Sequence, residues 1–296
     1  MFYGAHMIAL WLVLAAAPLP EHSLVYTNLF AARLNPLGVT DQLSLAYRHR
    51  LFDSESPLFQ PANFSAGVTT ELTPANARFG PSLELTPLAA LQLYAAYEFV
   101  GYFGVLQNVL ALDSPEHEVS DATRAALAAA RQNRPMAGGR LTLSILVQAK
   151  VGPIAVRAQL QFFRYDMRGQ PGENVFYEPG VDMLVPMHGF FLQHDADVLY
   201  VTNFGLIAGV RHSLAHSLED APRVSPGFGG LNSQHRVGPI ALYEFFNRPG
   251  AAFDRPSLGL IVQWYLQHRY RTGQETTQEF PQIVLAFLFA GELWRK

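Results

Sequence analysis

The chain has 296 residues, room for one large all-β domain or two ordinary ones, with a net charge of -3 and no cysteine. Without Cys there are no disulfides, thiolate metal sites or thiol nucleophiles, and a slightly acidic charge without basic runs excludes the electrostatic footprint of a nucleic-acid binder. Charged residues make up 15% of the chain and aromatics 12%, too little charge for an ordinary water-facing surface and a composition that suits a lipid-facing one.

Residues 1 to 23 read as a secretory signal. An apolar stretch from Met7 to Ala17 ends at the small residues Ala15-Ala16-Ala17, ahead of Pro18-Leu19-Pro20. It is too short to span a bilayer as a helix. No later segment supplies ~18 consecutive apolar residues, so any crossing of a membrane falls to strands. Residues 24 to 296 are expected to form a single domain.

From Leu24 onward the dominant signal is alternation, with every second residue apolar, as expected when one face of a strand meets lipid and the other a polar lumen. Leu24 to Leu34 alternates weakly. Leu43, Leu45 and Tyr47 then oppose Ser44, Arg48 and Arg50, and Phe64, Ala66, Val68 and Leu72 oppose Ser65, Thr69 and Glu71. Phe79, Leu83 and Leu85 oppose Arg78 and Glu84, and Leu91, Leu93, Tyr97 and Phe99 oppose Gln92 and Glu98. Pro74 and Pro87 fall in the turns between these segments, outside any ladder. Ala90 to Leu112 reads as one long strand or as two broken at Gly101 and Gly104.

A polar insertion follows, with Ser120 as a helix N-cap, Asp121 at the positive end of the dipole and Pro135 just beyond the end. This short helix either narrows the lumen or packs outside the mouth.

The clearest hairpin is Leu141 to Lys150 and Ile154 to Phe162, joined through Gly152-Pro153 and carrying Arg157 on its polar face. Further on, Tyr177, Val181, Met183 and Val185 alternate with Glu178 and Asp182, and Leu192, Ala196 and Val198 with Asp195 and Asp197. Leu206, Ala208 and Val210 face away from Arg211 and Ser213. Leu218 to Gln234 reads as a rim loop. Ala241, Tyr243 and Phe245 then oppose Glu244, and Leu258 to Leu266 alternates before a richly apolar Gln282 to Trp294. The number of candidate strands is odd, whereas a bacterial barrel needs an even one. One of these strand assignments is therefore wrong.

The alternation, the scarce charge and the aromatic last strand together resemble Gram-negative outer-membrane β-barrel proteins as a broad class. The resemblance implies an all-β, antiparallel transmembrane up-and-down barrel of about 12 strands, or about 14, with one short helix in a loop. It also implies insertion by the barrel-assembly machinery into outer-membrane lipid. The leading expectation is a passive or weakly selective pore for small polar solutes. Arg48, Arg50, Arg157 and Arg211 are candidate cationic pore-lining residues, and Glu84, Glu98, Asp195 and Asp197 anionic ones. Glu71, Glu178, Asp182 and Glu244 share the same polar faces. The alternative is a structural or adhesive barrel whose lumen these charges fill and seal.

The acidic group Glu178, Asp182, Asp195 and Asp197 has the oxygen ligands of a Ca²⁺ site, but neutralisation by Arg is simpler. His212-Ser213 raises a lipid-hydrolysing barrel, yet adjacent strand residues point to opposite faces and cannot form a Ser-His pair. No catalytic residue, metal or cofactor is expected.

Overall fold

The computed structural model describes residues 19–106, 111–217, 233–269 and 280–296. Most of the signal segment and most of the 218–234 loop lie outside these residues. Twelve antiparallel strands close into a barrel. In chain order the first five wall strands are β1 (His22–Leu34), β2 (Gly38–Arg50), β3 (Asn63–Leu72), β4 (Asn76–Leu88) and β5 (Leu91–Tyr102). After β6 (Ala111–Leu112) and α1 (Asp121–Ala129) come the wall strands β7 (Met136–Val151) and β8 (Ile154–Arg168). The short β9 (Val175–Glu178) and β10 (Met183–Pro186) follow. The wall then resumes with β11 (Phe190–Val201), β12 (Leu206–Ser217), β13 (Ser233–Glu244), β14 (Asp254–Gln267) and β15 (Gln282–Arg295). β1 closes the ring by pairing with both β2 and β15, so Phe30 lies between Asp41 and Phe287. Closure leaves no unpaired sheet edge in the wall, which lipid would not tolerate.

Each wall strand sends alternate residues outward. On β3 and β4 these include Val68 and Phe79, 52% and 60% exposed, while Glu71 and Arg78 point inward and are 2% and 3% exposed. Where the expected hairpin joins β7 to β8, Gly152 has φ 58°, a left-handed conformation that suits glycine in a two-residue connection. Gly209 on β12 serves a different need. A Cβ there would sit 2.0 Å from the Val198 carbonyl oxygen, so the inner face of the curved wall admits no side chain.

Part of the inner face is apolar. Leu29 and Ala31 of β1, Ile240 and Leu242 of β13, Ile261 of β14, and Val284 and Leu288 of β15 are buried together inside the ring. That is why the last segment reads as apolar on both faces.

The strand expected over 177–185 is not in the wall. Pro179-Gly180 breaks it, Asp182 takes φ 56°, and β9 pairs with β10 on one side and β6 on the other in a separate small sheet. Glu178 and Asp182 are therefore not wall residues as expected but belong to this hairpin. Its alternation has another cause: one face packs on Phe163, Tyr165 and Phe191 of the wall, and the other on Val119 just before α1. Removing this segment leaves the even count. Ala90 to Leu112 supplies a single wall strand, which ends at Tyr102.

Ser120 caps α1 as expected, its Oγ accepting from the Thr123 N–H. Through Arg124, which donates to the Tyr177 hydroxyl at 2.6 Å, the helix is tied to the hairpin rather than free outside the mouth.

Candidate functional site in the lumen

The inward charges meet one another along the wall. Arg78 and Gln42 both donate to Glu71. Arg140 reaches Glu98 at 2.6 and 3.0 Å, with Thr142 beside them. Arg211 holds Asp197 through two bonds of 2.7 and 2.8 Å, the bidentate geometry that fixes a guanidinium most firmly. Asp195 lies 3.9 Å from Arg211 and accepts from Ser213, and Arg157 comes within 3.8 Å of Asp197. Glu71, Arg78, Glu98, Arg140, Arg157, Asp197 and Arg211 are all buried, so this belt fills space rather than lining open water.

At the end away from the chain termini, the hairpin β9–β10 sits in the mouth. Contacts reach it from around the ring. Arg33 of β1 donates to the carbonyls of Gly180 and Pro179 at 2.8 and 2.7 Å, and Gln234 of β13 donates to that of Val181. Tyr102 of β5 and Tyr165 of β8 donate to the Glu178 carboxylate, which also accepts from the Gly180 N–H at 3.1 Å. His268, just past β14, lies 3.3 Å from the Asp182 carboxylate, and Tyr177 donates to the same group. Burial pushes the Glu178 carboxyl above the ordinary carboxylate range, opposed by the Tyr102 hydroxyl.

The other end is open. A cavity of about 420 Å³ is bordered by Arg48, Glu84, Tyr94, Gln148, Arg255 and Glu292. Arg48 Nε is buried there without a hydrogen bond. Arg50 faces away toward the rim, 3.2 Å from Asp53, and Glu244 ends β13 at the same side.

The expected pore-lining residues thus divide four ways, with Arg50 and Glu244 at the rim. Glu71, Glu98, Arg157, Asp195, Asp197 and Arg211 meet partners in the belt. Arg48 and Glu84 border the cavity. Glu178 and Asp182 anchor the hairpin. Sequence reasoning missed Arg140, although it shares the parity of Thr142, and missed Arg33, Tyr102, Tyr165 and His268, whose roles depend on a hairpin no alternation announces. Ser213 faces Asp195 in the lumen while His212 faces outward, so the pair cannot act together.

Three observations define the molecule's surroundings. The outward faces are apolar around most of the ring, the polar groups lie inside, and the wall has an even number of strands with its two ends bonded side by side, His22 N–H to the Lys296 carbonyl at 3.2 Å. This inverts a soluble barrel. The chain is a membrane-spanning β-barrel.

No family model and no curated protein matches the sequence. Among solved structures of similar form, the NanC porin is 7% identical, covering 90% of this chain and 100% of its own, at a TM-score of 0.39. The CymD monoaromatic hydrocarbon channel is 10% identical, covering 99% and 94%, at 0.42. OmpF of Salmonella typhi is 7% identical, covering 92% and 98%, at 0.38. Likeness this distant adds nothing to what the barrel's own surface shows. Outer-membrane barrels keep short turns on the periplasmic side, with their termini, and longer loops outside. By that rule the end holding the hairpin, supplied by the 169–189 connection, corresponds to the outer mouth of such a barrel and the cavity to its periplasmic end.

Proposed function

We propose that this barrel is a pore for small polar solutes, held shut from outside by the β9–β10 hairpin. One observation carries the reading: β9 and β10 pair with each other and β9 with β6, but neither pairs with a wall strand, so the hairpin can leave without breaking the barrel ladder. Beneath it the periplasmic cavity has the size of a small-molecule site. Its walls carry both signs, Arg48 and Arg255 against Glu84 and Glu292, which favours weak selectivity over strong. An export signal within residues 1 to 23 and delivery to the barrel-assembly machinery through the aromatic last strand fit this destination.

The test is swelling of vesicles containing the refolded protein, in isotonic solutions of small sugars and amino acids. Replacing residues 175–186 with a Gly-Ser linker should speed swelling over the intact chain, and adding Arg48→Ala or Glu84→Ala should shift the preference between anionic and cationic solutes. The burial of the charged belt favours the second reading, a permanently sealed barrel that works through its loops. A folded linker variant that stays impermeable would establish that reading instead.

A further inference from the structure

The outward face of the wall is not uniform. In the half nearest the outer mouth, Arg164 and Arg168 of β8, His194 of β11, His212 and His216 of β12, and His235 of β13 all point away from the lumen. The register brings them into one patch. His194 lies beside Leu160 and Leu214, Leu214 lies beside His235, and the rings of His212 and His235 are 5.7 Å apart. Arg164 stacks its guanidinium 5.7 Å over the ring of Phe190. Asp166, the one outward-facing acid on these strands among the described residues, is matched by His188 at 2.8 Å.

On the other eight wall strands the same half of the outward face carries one charged residue among those described, Asp41, and it is bonded to Asn28. Elsewhere that height holds residues such as Phe30, Phe79, Phe99 and Leu266. Ionisable side chains facing hydrocarbon are costly without a partner, so a concentration on four adjacent strands calls for one.

We propose that this sector binds the phosphate of an outer-leaflet lipid headgroup. The guanidiniums of Arg164 and Arg168 supply charge and paired donors for phosphate oxygens, and the imidazoles supply further N–H donors. Four strands at sheet spacing span roughly 15 Å, the width of a large headgroup. A second copy of the chain fits poorly, because a two-fold interface would set each copy's arginines against the other's.

Trp264 reports on the site directly. It faces outward on β14 beside Val237, which lies beside His212. The sequence holds three tryptophans, so Trp11→Phe with Trp294→Phe isolates it. The experiment compares quenching of Trp264 by brominated phosphatidic acid and by brominated phosphatidylcholine in phosphatidylcholine vesicles. Phosphatidic acid should be preferred by about tenfold, as expected for a few cations at a membrane surface. Arg164→Gln with Arg168→Gln should abolish the preference, and His212→Phe with His235→Phe should reduce it, both with the barrel's heat-modifiable gel migration intact. Equal quenching by the two lipids in the unmodified sector overturns the proposal. So does quenching by neither together with cross-linked dimers, which would mean that a second copy covers the face.

Discussion

Arg211 sits between two carboxylates, of which Asp197 is buried from water, and its removal is predicted to cost more than the loss of a surface ion pair. Arg211→Ala leaves Asp197 buried without its bidentate partner, which should destabilise the barrel by about 3–5 kcal/mol. Urea unfolding of the refolded protein in vesicles measures this, and a loss below about 1 kcal/mol would show the belt to be hydrated. Glu178 works at the opposite sign of charge. Its carboxyl is raised by burial among Tyr102, Tyr165 and the Gly180 N–H, with Arg78 the cation nearest in effect. The closed seat therefore binds the proton more tightly than the released hairpin does. Its contribution is full below the ordinary carboxylate pKa of about 4.3 and fades as pH rises through the raised value. Channel openings should thus become more frequent as pH rises above about 4.3 and through the raised value, and Glu178→Gln should flatten that dependence. Identical opening frequencies in the unmodified chain across this range would remove Glu178 from the gate.

Strands differ in how much a charge costs at different heights. Val68, midway along β3, faces outward, and Val68→Arg should destabilise by about 2–4 kcal/mol, whereas Leu72→Arg near the rim should cost about 0–1 kcal/mol. Equal costs would contradict the placement of β3 across the bilayer. At this scale the sequence was most readable where one face met lipid and the other a polar interior, as in β7 and β8, whose hairpin was legible down to Gly152. It misled where an element had two covered faces. β9 and β10 show the same period of two because they lie between the wall and the α1 segment, and only Pro179-Gly180 marked the break. β1 was hard to read for a related reason: Leu29 and Ala31 face inward yet are apolar, which blurs the alternation on that strand. The belt was legible as charges of both signs on inward faces. Which carboxylate met which guanidinium was not, because pairing depends on register between strands far apart in sequence.

Across the whole molecule, closure hides every wall edge, the apolar exterior takes the membrane as its solvent, and the interior is divided between a packed apolar side and a belt of ion pairs. On the proposed reading, what makes this a closed pore rather than a solid post is a hairpin that pairs with no wall strand, above the cavity at the opposite end of the barrel. Single-channel recording in a planar bilayer tests this most directly, comparing the intact chain with the variant lacking residues 175–186, each first shown by heat-modifiable migration to be folded. The account predicts rare, brief openings for the intact chain and stable current steps that scale with salt for the variant. A folded variant that remains silent would contradict it, placing the seal in the belt itself and the barrel's work in its outer loops.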